Sequence, residues 1–207
     1  MDASKFWKVI SNYNGATYVL QIAILSTLVV SCILARKEKV VWLPKVSYGL
    51  TSIYLAFVFF LVFGTEPIQY FFAFPLYLLL GLTFIFEAVK HKDEHFEKFT
   101  LGQWILGALV AVYPLVSIVQ GKTFPEMLLY IMPCPVVCIG VIIWLGYKRR
   151  NLLSLALLTI WGLTGIKAFF FDAYEDIILF AIGIYALVLF LLEIKKRNLH
   201  YYANGNQ

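Results

Sequence analysis

Charge is scarce in this chain. Only 14% of its 207 residues are Asp, Glu, Lys or Arg, 61% are hydrophobic, and the mean hydropathy is +0.81. A soluble domain of this length has too little interior to bury so much apolar surface. The composition therefore excludes one and points to lipid as the solvent. Long polar loops are also missing, which leaves no room between the apolar runs for a soluble catalytic module. No phosphate-binding loop, dinucleotide fingerprint, Ser-His-Asp arrangement or Cys-x-x-Cys pair occurs, so nothing argues for an enzyme or names a cofactor. Cysteine is sparse and odd in number. Cys32, Cys134 and Cys138 all lie in apolar runs, which excludes a disulfide framework. The net charge of +5 does not indicate nucleic acid, because the basic residues form short clusters between apolar runs.

What the chain does have is aromatic residues, 17% of the total with 18 Phe and 13 Tyr, which suits membrane-interface belts. It also has seven apolar runs near the length of about 20 residues that a spanning helix needs. They cover 16–35, 46–64, 67–87, 100–119, 127–147, 152–171 and 177–194. Lipid offers the backbone no partners and the runs lack barrel-type alternation, so each is expected to be a helix. The expected fold class is all-α, a polytopic transmembrane bundle of about seven spans forming a single domain over 16–194. Residues 1–15 are expected as a segment on the membrane surface, through Phe6, Trp7, Ile10 and Tyr13. Residues 195–207 are expected as a cytoplasmic tail, disordered after Arg197.

Lys and Arg set the orientation. With seven spans, one side collects Arg36, Lys37, Lys39 and Lys45, then Lys90, Lys92 and Lys98, then Lys148, Arg149 and Arg150, then Lys195, Lys196 and Arg197. The other side holds Lys5, Lys8 and Lys122. The thirteen-to-three split places the N-terminus outside and the C-terminus inside. Removing one span would scatter the clusters over both faces.

A few residues are not explained by spanning alone. Pro133 and Pro135 flank Cys134 inside the fifth run and predict a structural kink that frees the carbonyls of Leu129 and Ile131. Met127, Cys134 and Cys138 would share a helical face there, a soft-ligand set suited to Cu(I) or Zn(II); small apolar packing is the ordinary role of such cysteines. Lys167 is a costly cation inside the sixth run. It either snorkels outward or pairs with Glu66, Asp172 or Asp176 in an outer polar pocket. Trp161, Gly165 and Ala168 read as a helix-packing face, as do Gly107 and Ala111. The string His91-Lys92-Asp93-Glu94-His95 matches a zinc-peptidase motif only superficially; a charged extension of the third helix with a Glu94–Lys98 pair explains it better.

At these residues the chain resembles a family of multi-pass bacterial membrane proteins, domain of unknown function six-zero-six-four. The resemblance rests on Trp7 with Tyr13-Asn14, on Phe59-Phe60 before Pro67-Ile68, and on Pro133-Cys134-Pro135 followed by Gly140. It continues through Trp161, Gly165 and Ala168 to Glu175-Asp176. Glu66-Pro67, where Asn-Pro is usual, and Lys167, where a small residue is usual, depart from that pattern. The resemblance implies a bacterial inner membrane and supplies no mechanism.

Three functional readings follow. The leading one is binding or permease-like passage of a small solute or ion between helices. The second is a structural subunit, as a homo-oligomer or with a membrane partner protein, that takes no substrate. The third is thiophilic metal handling in the fifth helix.

Overall fold

A computed structural model describes residues 3–92 and 94–204. Among the described residues seven helices run in chain order: α1 (Ala3–Arg36), α2 (Leu43–Val62), α3 (Gln69–Lys90), α4 (Leu101–Val119), α5 (Pro133–Leu145), α6 (Leu152–Phe170) and α7 (Asp176–Asn204). All except α5 are long and apolar enough to cross a membrane. No strand occurs among the described residues beyond one isolated bridge, Phe96 with Tyr147.

The two hairpins α2–α3 and α6–α7 pack through glycines, where side chains would hold the backbones apart. A Cβ on Gly49 would lie 2.8 Å from the carbonyl of Gly81, and one on Gly162 would lie 2.6 Å from the Cα of Gly183. Gly165 belongs to the second seam, and Ala168 beside it is fully buried. Trp161 does not; its ring faces Phe60, Phe72 and Tyr77 across the bundle. Gly107 is not a packing residue either, since a Cβ there would meet nothing within 4 Å.

The structure differs from the expected plan at two elements. Residues 4–14 form no separate surface segment. They are the first turns of the 34-residue α1, with Val9, Ile10, Tyr13 and Asn14 buried in the bundle. The fifth crossing is not one kinked helix. Residues 120–132 are non-helical, and α5 starts at Pro133. At about 1.5 Å per residue its 13 residues cover roughly two-thirds of a hydrocarbon core of about 30 Å. Pro133 and Pro135 occupy the first and third helical positions, where a helix has no internal use for the missing N–H groups. They let α5 begin in a buried place while presenting fewer orphan donors.

The incoming non-helical segment and the first residue of α5 are tied down by side chains, most of them distant in sequence. Tyr13 Oη donates to Ile131 O at 2.7 Å, and Asn14 Nδ2 donates to Pro125 O and Met127 O, both at 2.8 Å. Tyr77 Oη donates to Pro133 O at 2.5 Å, and Leu128 N donates to Ser117 Oγ at 3.0 Å. Non-helical backbone survives at membrane depth only when protein satisfies it in this way.

All four Lys/Arg-bearing segments meet at one end of the bundle. Lys45 Nζ lies 2.6 Å from Glu94 Oε2 and 3.9 Å from Glu87 Oε2, and Arg150 pairs with Glu193 at 3.3 Å. Arg197 donates to Arg150 O, and Arg36 sits over the Phe99 ring. Glu94 thus turns inward to Lys45 and to Arg149 N instead of pairing with Lys98. The helical spacing that pair needs is absent, because α3 stops at Lys90. Asp93, in the same string, lies outside the described residues. So do Gly205–Gln207 of the expected tail, whose earlier part is helical to Asn204.

Candidate functional site

Away from the basic end, a cavity of about 290 Å³ opens between the two hairpins. Three of the helices that meet it depart from α geometry at that point. The α2 wall carries Phe59 and Phe60 within a π-helical stretch, Leu55–Val62. The α3 wall carries Gln69, Phe72 and Ala73 within another, Gln69–Ala73. The α6 wall carries Thr164 and Lys167 in a 3₁₀ stretch, Thr164–Lys167. Met132, Pro133 and Cys134 bring the start of α5, Asp176 the start of α7, and Phe6 and Ile10 a side of α1. Widened and tightened turns are sparse in proteins and recur at functional sites.

The polar groups of this cavity are few and incompletely used. Cys134 Sγ donates to Asp176 Oδ2 at 3.3 Å. Asp176 is 7% exposed, and its Oδ1 has no hydrogen-bond partner among the described residues. Trp161 Nε1 is likewise buried and unpartnered, and lies on the same lining. Lys167, half-buried, adds a cation that makes no ion pair within 4.0 Å among the described residues. Burying polar atoms without partners costs free energy, and two such atoms, Asp176 Oδ1 and Trp161 Nε1, lie on this lining beside the half-buried Lys167. The remaining walls are mostly aromatic: the Trp161 indole stands 5.4 Å from Phe60 and 5.0 Å from Tyr77, centroid to centroid, and stacks on Phe72 at 6.4 Å.

Of the four residues expected in an outer polar pocket, the structure brings together Lys167 and Asp176. Glu66 instead faces Lys5 at 3.8 Å. Asp172 ends α6 in a left-handed conformation, φ 52°, with its carbonyl accepting from Lys122 Nζ at 3.0 Å. Lys122 also sits over the Trp7 ring; partial burial pulls its ammonium below the usual lysine range, with Glu175 and Asp172 acting the other way. Trp161, Gln69 and Thr164 are lining residues that sequence reasoning did not assign. A signal existed for one of them, since Thr164 precedes Lys167 by three positions, on one helical face.

The soft-ligand set does not assemble. Met127 lies in the non-helical segment, outside the helix that carries Cys134 and Cys138. Cys138 Sγ turns to Cys134 O at 3.3 Å and to Tyr113 Oη at 3.8 Å. Among the described residues, no three His, Cys, Asp or Glu side chains cluster to hold a metal ion.

Apolar length, helix packing and buried non-helical backbone together define a polytopic α-helical membrane protein. The model of a family described as "Family of unknown function (DUF6064)" matches residues 3–201, and the chain belongs to that family. No curated protein and no solved structure matches it.

Proposed function

We propose that this protein binds a small solute in the cavity between its hairpins and passes it across the membrane in the manner of a permease. The observation that carries this reading is the meeting of four interrupted helices around unpartnered polar groups. Interrupted helices at the boundary between two hairpins are the usual architecture of a substrate site in membrane transporters. The volume suits a molecule of amino-acid size. One carboxylate, one ammonium, one indole donor and aromatic faces suit a zwitterion. Its amine end would pair with Asp176 and the rings, its carboxylate with Lys167 and Trp161.

The orientation proposed is N-terminus outside and C-terminus in the cytoplasm. It is supported by the thirteen Lys and Arg of the four loop and tail segments gathering at one end. The cavity then faces outward.

The test is ligand-induced stabilisation of the purified protein, measured by calorimetry with glycine betaine, L-proline, choline, acetate and glycerol. The zwitterions should bind at least tenfold more tightly than choline or acetate, and Asp176→Asn should abolish the difference. Equal responses in wild type and Asp176→Asn to every compound would remove the solute reading and favour a substrate-free subunit.

A further inference from the structure

A second concavity lies at the opposite end of the bundle and has no part in the solute cavity. About 720 Å³ in volume, it lies where the ends of α3, α7 and the α5–α6 loop converge over the start of α6. Three carboxylates line it, and each is engaged. Glu193 pairs with Arg150 at 3.3 Å, Glu97 with Lys148 at 4.0 Å, and Glu87 accepts from Asn151 at 3.1 Å beside Lys45. Four cations on the same lining, Lys90, Arg149, Lys196 and Arg197, have no carboxylate within 4.0 Å among the described residues. Two are held in place without being neutralised: Arg149 Nη1 rests 3.1 Å from His91 Nδ1, and Arg197 Nη2 donates to Arg150 O at 2.6 Å.

Like charges fixed around one concave site repel one another, and that cost is recovered when an anion of more than one charge enters. The N-terminal end of α6, capped by Asn151, adds a partial positive charge to the floor. Guanidinium forks and ammonium groups in such an arrangement match phosphate oxygens. Phe86, 59% exposed, makes one wall apolar.

We propose that this cleft binds a phosphate-bearing anion. Lipid headgroups and soluble phosphate compounds share the chemistry, and the experiment separates them. Binding is measured on the full-length protein in detergent, in one arm with phosphatidic acid against phosphatidylcholine of equal chain length, in the other with inorganic pyrophosphate. The cleft variant is Arg149→Gln with Lys196→Gln. The control, Lys37→Gln with Lys39→Gln, removes equal charge from the same end outside the cleft. Wild type and control should bind phosphatidic acid at least tenfold more tightly than the cleft variant, with affinity falling steeply as salt rises. Response to the lipid alone assigns the site to a headgroup; response to both assigns it to phosphate itself. Equal loss in cleft and control variants, or no preference for either phosphate probe in wild type, overturns the proposal.

Discussion

Replacing Asn14 with Ala tests how the non-helical segment survives inside the bundle. Asn14 is fully buried, and its Nδ2 bonds two carbonyls, Pro125 O and Met127 O, across more than 110 residues of sequence. Interhelical side-chain hydrogen bonds in membranes contribute about 0.6–1.7 kcal/mol each. A carbonyl left buried and unpaired costs about 1–3 kcal/mol. With two carbonyls released, Asn14→Ala should lose about 2–4 kcal/mol. Gln21 loses its bond to Asn14 Oδ1 but keeps Thr17 Oγ1, so little is added there. The matched control is Ser26→Ala, an exposed hydroxyl bonded only within its own helix to Ile22 O, for which a change under about 0.5 kcal/mol is expected. Unfolding in mixed detergent gives the energies, and hydrogen exchange of residues 123–132 locates the effect. Asn14→Ala should speed exchange in that peptide before the helices open. Equal stability of the two variants, with unchanged exchange at 123–132, would refute the claim that side chains of α1 hold this segment.

The remaining predictions concern packing, the buried ion pair and topology. Lys45→Met strands Glu94, whose side chain is 5% exposed, and should cost about 3–5 kcal/mol; adding Glu94→Gln, which keeps the acceptor for Arg149 N, should restore most of it in the same unfolding assay. Gly165→Ala would drive a Cβ to 2.6 Å from Asp176 O and should destabilise by about 1–3 kcal/mol, whereas Gly107→Ala meets nothing and should be neutral or slightly stabilising in melting experiments. In a cysteine-free background, Lys122→Cys should label in intact cells and Arg149→Cys only after permeabilisation; the reverse would invert the proposed orientation.

The helices were legible because length and apolarity alone dictate them in lipid, and the charge clusters had to share an end if the chain crosses seven times. The fifth crossing was not legible. Hydropathy cannot distinguish a spanning helix from a buried non-helical segment whose carbonyls are satisfied by Tyr13 and Asn14, residues far away in sequence. Pro133 and Pro135 were visible as helix disruptors, but whether a proline bends a helix or begins one depends on what receives the backbone before it. The pocket was half legible. A lysine within an apolar run and an acid at a helix start were conspicuous, and Lys167 and Asp176 do meet on one cavity. Glu66 and Asp172 looked equivalent in sequence, but Glu66 is drawn off by Lys5, and Asp172 caps the end of α6 with its carboxylate accepting from Tyr174 Oη. Trp161 was hidden because an aromatic among small residues reads as packing; only its unpartnered indole nitrogen marks it as more. Glu94 was misread because its partner, Lys45, lies 49 positions away.

The most direct test of a solute-sized cavity opening to the outside is the reactivity of Cys134, which lines it, compared with Cys138, which is fully buried one turn further along. Single-cysteine proteins in intact cells would be exposed to a small, charged, membrane-impermeant thiol reagent. Cys134 should react from outside, Cys138 should not, and a bound zwitterion should slow the reaction at Cys134. A Cys134 that stays unmodified, or that reacts only after permeabilisation, would contradict the account.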